Sequence, residues 1–198
     1  MSNLRGAKRE IQNYRRLTHQ KEIFIMNMKE FLNAVSNGKE DIIQLFLNAL
    51  SSSNANYCVI GGLAVNAYAD PVVSLDLDIV VALENLEAAC KNSEAHFKIE
   101  RFAHSINFST KKSDLRIQLQ TDPRYQDFIG RATSQKVLGY EMKVAGVEDV
   151  LQGKIWAYLD EQRRKSKRHK DLADIVRLLE VSPSLTGLLP LSIKERIE

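Results

Sequence analysis

The chain has 198 residues, 44% of them apolar and 27% charged, and carries a net charge of +3. This size and balance suit one domain, or one domain with a helical appendage, that can pack a core without disulfides or metals for bare stability. They exclude a disulfide scaffold, because the two cysteines, Cys58 and Cys90, have neither disulfide-framework nor metal-ligand spacing. Reduced, buried thiols fit a cytoplasmic location. No run reaches the ~18–20 apolar residues of a membrane helix, so no membrane association is expected. Phe24-Ile25-Met26 is too short to be a signal-peptide core.

The charge is unevenly placed. Residues 1–22 hold six basic and two acidic side chains, so that segment carries +4 and the remainder −1. The basic balance belongs to one terminal arm, and Met26 and Met28 just beyond it offer alternative starts. Overall pI is therefore weak support for nucleic-acid binding.

In chain order, residues 3–20 read as a peripheral helix and 28–35 as a better one. After Asn37-Gly38, residues 39–51 form a helix whose buried face is Ile42, Ile43, Leu45, Phe46, Leu47 and Leu50. Tyr57–Ile60 is a short buried strand stopped by Gly61-Gly62, and Leu63–Tyr68 suits a short helix ended by Asp70-Pro71. Leu75–Leu83 reads as a second strand and 84–92 as a helix. His96–Ala103 and Ser105–Ser109 read as strands around a turn. Asp114–Gln120 alternates cleanly, with Leu115, Ile117 and Leu119 on one face and Arg116, Gln118 and Gln120 on the other. A short helix follows Asp122-Pro123, Val137–Val144 holds a strand or hairpin, and the chain is helical from Val147. The expected organisation is a helical segment over 1–54, with 1–27 peripheral, a core sheet over 55–145, and a helical region over 146–198 packed on it.

The chemistry concentrates in YCVIGGLAVNAYADPVVSLDLDIVVA, residues 57–82. Residues two apart on a strand point to one side, so Asp76 and Asp78 project together while Leu77 and Ile79 enter the core. Two carboxylates roughly 6–7 Å apart repel unless a cation lies between them. Strands of core composition avoid two acids within three residues, and a divalent metal is the economical reason for this pair. Mg²⁺ commonly takes one or two carboxylates plus phosphate oxygens. Gly61 and Gly62 permit close backbone approach at a strand-to-helix turn, and Ser74 can donate to the same phosphates.

This GG, spacer, S-x-D-L-D pattern resembles the signature of the DNA polymerase β-like nucleotidyltransferase superfamily, most nearly its AbiEii toxin-like branch. Val147–Leu151, then Lys154 and Ala157, then Lys170-Asp171-Leu172-x-Asp174 resemble the carboxy-terminal lysine and KD-x-x-D helix of that family. The resemblance spans about residues 55–180. It implies a mixed α/β (α+β) minimal nucleotidyltransferase fold, with a small mixed sheet flanked by helices and a helical carboxy-terminal region. It further implies Asp76 and Asp78 as metal ligands and catalytic residues, Mg²⁺ or Mn²⁺ as cofactor, and a nucleoside triphosphate bound by Gly61, Gly62, Ser74, Lys154 and Lys170.

Two departures stand out. The third family carboxylate falls at Gln118, which cannot act as a base, and Pro71-Val72-Val73 replaces an arginine common before the serine. Asp114 and Asp122 share the face of Gln118 but lie ~13 Å away along the strand. Two readings therefore stand side by side. One is an enzyme transferring a nucleoside monophosphate to an RNA, protein or small-molecule hydroxyl. The other is a nucleotide-binding module with a cognate partner protein in a toxin–antitoxin relationship. A third is an RNA-binding accessory protein using the basic termini.

Smaller features read as structural. Lys170, Asp174 and Arg177 share a helical face and serve either phosphate or a salt-bridge ladder. The run Arg163–Lys170 reads as a solvated interhelical loop, with triphosphate or RNA contact as the alternative. His104 and His169 read as surface residues, and Trp156 as packing.

Overall fold

The computed structural model describes residues 29–197. The peripheral helix read over 3–20, the basic arm and the alternative starts lie outside the described residues. Residues 29–35 are helical. Helix α1 (Ile42–Ser52) follows, opened by Asp41, whose side chain accepts from the Gln44 amide.

The strands are β1 (Tyr57–Ile60), β2 (Asp76–Val81), β3 (Lys98–Arg101), β4 (Ser105–Thr110), β5 (Ser113–Gln120), β6 (Thr133–Val137) and β7 (Tyr140–Val144). The helices after α1 are α2 (Gly61–Val65), α3 (Leu86–Ser93), α4 (Val147–Leu159), α5 (Lys165–Val181) and α6 (Leu191–Ile197), with 3₁₀ turns over Pro123–Arg131 and Pro183–Leu188. The seven strands form one sheet in the order β3-β4-β5-β2-β1-β7-β6. β1 runs antiparallel to β2 and parallel to β7, and β2 runs parallel to β5, so the sheet is mixed.

Alternation decides which face is core. Leu77, Ile79, Ile117 and Leu119 are fully buried. On the same side Phe108 meets Phe46 of α1, ring centroids 4.9 Å apart, and Phe97 completes an edge-to-face cluster. α1 thus belongs to the sheet's own core. The opposite face presents Asp76, Asp78, Gln118 and Asn107, and α4, α5 and the 3₁₀ stretch Pro123–Arg131 border it.

Most elements match the sequence pattern, with differences at their ends. The helix after β1 begins at Gly61 rather than Leu63 and ends by Asn66, whose side chain bridges to both backbone polar groups of Val72. The expected 137–144 element is a hairpin begun at Thr133, turning through Leu138 and Gly139 with positive φ. The segment after Asp122 is 3₁₀, with the Asp122 carboxylate accepting from the Arg124 amide.

The tightest point lies between β1 and β2. Their register sets Ile60 opposite Asp78, so the next residue, Gly61, turns directly beside that carboxylate. Gly61 has φ +69°, and a Cβ there would stand 2.1 Å from Asp78 Oδ2. Only glycine satisfies both conditions. Gly61→Ala is expected to cost about 1–3 kcal/mol in chemical denaturation. Gly130→Ala, where a Cβ meets nothing within 4 Å, is expected to change stability by under ~0.5 kcal/mol.

Candidate active site

Between the polar face of the sheet and helices α4 and α5 lies a cleft of about 670 Å³. Asp76 and Asp78 both line it, as the strand period requires, together with Gly61, Gln118, Asn107 and Lys167. Strand pairing builds its floor. Ladder partners place Glu100, Asn107, Gln118 and Asp78 in one row across β3, β4, β5 and β2, and Arg116 beside Asp76.

Asp78 is half-buried against the Gly61 corner. Burial pushes its carboxyl above the usual range, the charge of Lys154 pulls it back, and neighbouring Asp76 raises it again. A cation at this place would offset both the burial and the mutual repulsion. Asp76 is 39% exposed at its side chain, and Lys167 Nζ approaches its Oδ2 at 3.3 Å.

A second group converges beside the first. From the position a Gly62 Cβ would take, Ser74 Oγ is 3.4 Å and Lys170 Nζ 3.9 Å away. Ser74 is buried, its hydroxyl engaged with the Asp76 backbone. Gly62, Ser74 and Lys170, far apart in sequence, therefore meet at one point.

Lys154 occupies a different setting. It is 7% exposed, and its ammonium lies 3.1 Å from Asp171 Oδ1 and 2.7 Å from Asp174 Oδ2. Burial works against its charge, but Asp174 and Asp171 outweigh this and hold the ammonium above its ordinary pKa. Arg163 Nε reaches Asp171 at 2.8 Å, and Arg177 Nη1 reaches Asp174 at 2.7 Å. Arg177 also donates to Asn66 Oδ1 and to the Asp70 carbonyl, tying α5 to the loop that leads into β2. The KD-x-x-D aspartates thus clamp the lysine of α4, and on the expected face Asp174 pairs with Arg177 while Lys170 lies near Gly62.

Gln118 stands directly opposite Asp78 in the parallel ladder. Asp114 is engaged by Asn37 at 2.6 Å and Asp122 by Arg124 at 2.7 Å, so neither reaches that place. Among the described residues no three His, Cys, Asp or Glu side chains are arranged to hold a metal ion between them. Two carboxylates nonetheless fit a divalent cation that completes its shell with water and phosphate oxygens.

No protein-family model and no curated protein matches the sequence. Solved structures do. The antibiotic-resistance factor ANT(2'')-Ia, in complex with adenylyl-2''-tobramycin, superposes with a TM-score of 0.58 at 14% identity, over 79% of this chain and 97% of that one. Its solution structure gives 0.56 at 12% identity, over 78% and 90%. The lincosamide antibiotic adenylyltransferase LnuA, lincomycin-bound, gives 0.51 at 11% identity, over 71% and 98%. The fold is a nucleotidyltransferase fold.

Within the nucleotidyltransferase fold, several cleft residues escaped the sequence reading. The run Arg163–Lys170 is largely exposed, as expected, but only its first two residues are loop. Residues from Lys165 onward start α5, and Arg163 and Lys167 turn inward to Asp171 and Asp76. Burying a polar face beside three carboxylates recruits those cations. Asn107 and Ser109 had a legible signal, since they alternate with Ile106 and Phe108 along β4. Cys58 is buried and its thiol pushed up to about 12, chiefly by burial. Trp156 stacks on Phe128, 5.8 Å between centroids, and His104 and His169 are exposed. Among the described residues no helix is long and apolar enough to cross a membrane.

Two stability effects follow. Lys154→Met removes the buried ammonium that Asp171 and Asp174 share, leaving each with one guanidinium, and is expected to cost about 1–3 kcal/mol by denaturant titration. Asp78→Asn should act oppositely in metal-free protein. A carboxyl whose folded pKa is raised stabilises only below its unfolded pKa of about 4, and that contribution is lost as pH rises through the folded value. The melting temperature of Asp78→Asn should therefore gain on wild type between pH 4 and 7, and parallel pH profiles would refute this.

Proposed function

We propose that this chain is a nucleotidyltransferase that moves a nucleoside monophosphate from a nucleoside triphosphate to a hydroxyl of an acceptor held in the cleft. The observation that carries this reading is the single polar face of β2, with Asp76 and Asp78 projecting together beside the Gly61 corner. Those two side chains would hold Mg²⁺ or Mn²⁺, which supplies charge neutralisation for the phosphates and the leaving pyrophosphate. Gly62, Ser74 and Lys170 would receive phosphate oxygens through a backbone amide, a hydroxyl and an ammonium. Lys154, committed to Asp171 and Asp174, would act on the site through its field and by positioning α4 against α5.

In the reaction the acceptor oxygen bonds to the α-phosphorus, the bond to the bridging oxygen breaks, and pyrophosphate departs. The hydroxyl proton passes to water, because Gln118 cannot accept it. The cleft volume lies in the range of small-ligand sites, and its amide-rich floor of Asn107, Gln118 and Gln120 suits a hydroxylated acceptor. The solved neighbours bound to lincomycin and to adenylyl-2''-tobramycin support a small molecule over RNA or protein.

A second reading has its own support. The amide of Gln118 opposite Asp78 favours a domain that binds nucleotide without turnover. The toxin–antitoxin partner, the AbiEii-like branch and a cytoplasmic setting belong with it.

Incubation with labelled ATP, GTP, CTP and UTP, Mg²⁺ or Mn²⁺ and cell extract separates the two. Label that moves onto an acceptor, and stays behind in Asp76→Ala, supports the enzyme. Thermal stabilisation by nucleotide with no labelled product supports the binding module. Gln118→Glu, which places a carboxylate opposite Asp78, is expected to raise transfer by about 10²-fold and make it fall at acid pH. An unchanged rate would count against proton removal as the limiting deficit.

A further inference from the structure

The Lys167–Asp76 contact is peculiar for its place. Lys167 lies in the first turn of α5, a 17-residue helix with no acidic side chain in that turn and no side-chain cap at Arg164. Cations at a helix start oppose the macrodipole, so local helix stability does not account for Lys165, Lys167 and Arg168 there. The pair is also weak as a structural device. Both side chains are 39% exposed and 3.3 Å apart, a setting in which ion pairs contribute little to stability. Yet Lys167 lines the cleft with Arg163 and Arg164, and its ammonium touches one of the two carboxylates available to a cation. Arg163 is committed to Asp171, and Arg168 donates to the Tyr158 carbonyl, whereas the partner of Lys167 among the described residues is Asp76.

We infer that Lys167, paired with Asp76, is a triphosphate-binding residue that is displaced onto the phosphates when metal and nucleotide enter together. The inference rests on the proposed nucleotidyltransferase reading and adds a residue and an order of events to it. A divalent cation beside Asp76 repels the ammonium, and the flexible lysine stem lets it leave. The arriving triphosphate offers it a stronger anionic partner. The exchange makes free metal a poor ligand and metal–nucleotide a good one, so the cleft discriminates against metal alone.

The test measures Mn²⁺ binding to the full chain by electron paramagnetic resonance, with and without a non-hydrolysable ATP analogue. For Lys167→Ala, free Mn²⁺ should bind about 5-fold more tightly, because its competitor is gone. Mn²⁺ with the analogue should bind about 5- to 10-fold more weakly, since an ammonium–phosphate contact is lost. Lys167→Arg should recover most of the second effect. Lys165→Ala, exposed and outside the cleft, removes the same net charge and should move neither value appreciably. Equal shifts in Lys165→Ala and Lys167→Ala would reduce the effect to overall charge and overturn the inference. So would Mn²⁺ binding that requires Asp76 and Asp78 but ignores Lys167, and this outcome leaves the proposed site intact. Failure of Mn²⁺ to bind wild type or any variant, with or without analogue, would remove the site and the inference together.

Discussion

The contact between the Asp78 carboxylate and the Gly61 backbone is the constraint on which the rest of this molecule turns. Antiparallel pairing of β1 with β2 sets Ile60 opposite Asp78, and the chain must then turn at positive φ within reach of a carboxylate oxygen. A residue with a Cβ cannot occupy that corner. Once it is made, α2 leaves in a direction that brings Gly62 to Ser74 and Lys170, and the acidic face of β2 opens onto the cleft. One steric condition thus joins strand register, helix start and site.

Charge balance is the second organising force. The cleft collects Asp76, Asp78, Asp149 and Asp171, and three of these have a direct cationic partner. Asp149 receives both nitrogens of the Arg131 fork, Asp171 receives Lys154 and Arg163, and Asp76 receives Lys167. Asp78 alone has no direct cationic partner among the described residues, and it is the carboxyl that burial pushes upward. Folding has therefore left the least comfortable negative charge where a divalent ion would relieve it. Such retained discomfort is common where function and stability compete. The buried Lys154 clamp serves the opposite purpose. It binds α4 to α5 and, through Arg177 and Asn66, stiffens the approach to β2.

The opposition of Gln118 and Asp78 shapes the chemical character of the cleft. An amide donates and accepts hydrogen bonds without titrating near neutrality, so the row Asn107–Gln118 offers recognition where a carboxylate would offer basicity. Beside the cleft, Gly62, Ser74 and Lys170 form a separate group that carries an ammonium. The amide row itself is polar and neutral, with Glu100 and Arg116 as its charged neighbours in the ladder.

Much of this was legible in one dimension. The 2.0 period of SLDLDIVVA and SDLRIQLQ assigned the faces of β2 and β5, and the 3.6 period assigned α1, α4 and α5. The shared face of Asp76 and Asp78 followed from the strand period alone, because local backbone geometry is set by local sterics, whereas the significance of Gln118 came from the family resemblance. What sequence could not settle was which side chains meet across the fold. Lys154 looked available for phosphate, but α5 brought two aspartates to it. Arg163–Lys170 reads as a solvated loop, but two of its cations pair with carboxylates, Arg163 with Asp171 and Lys167 with Asp76, the latter 91 residues away. Periodicity names the face a residue occupies. Long-range electrostatics and packing, which depend on the tertiary path of the chain, choose its partner.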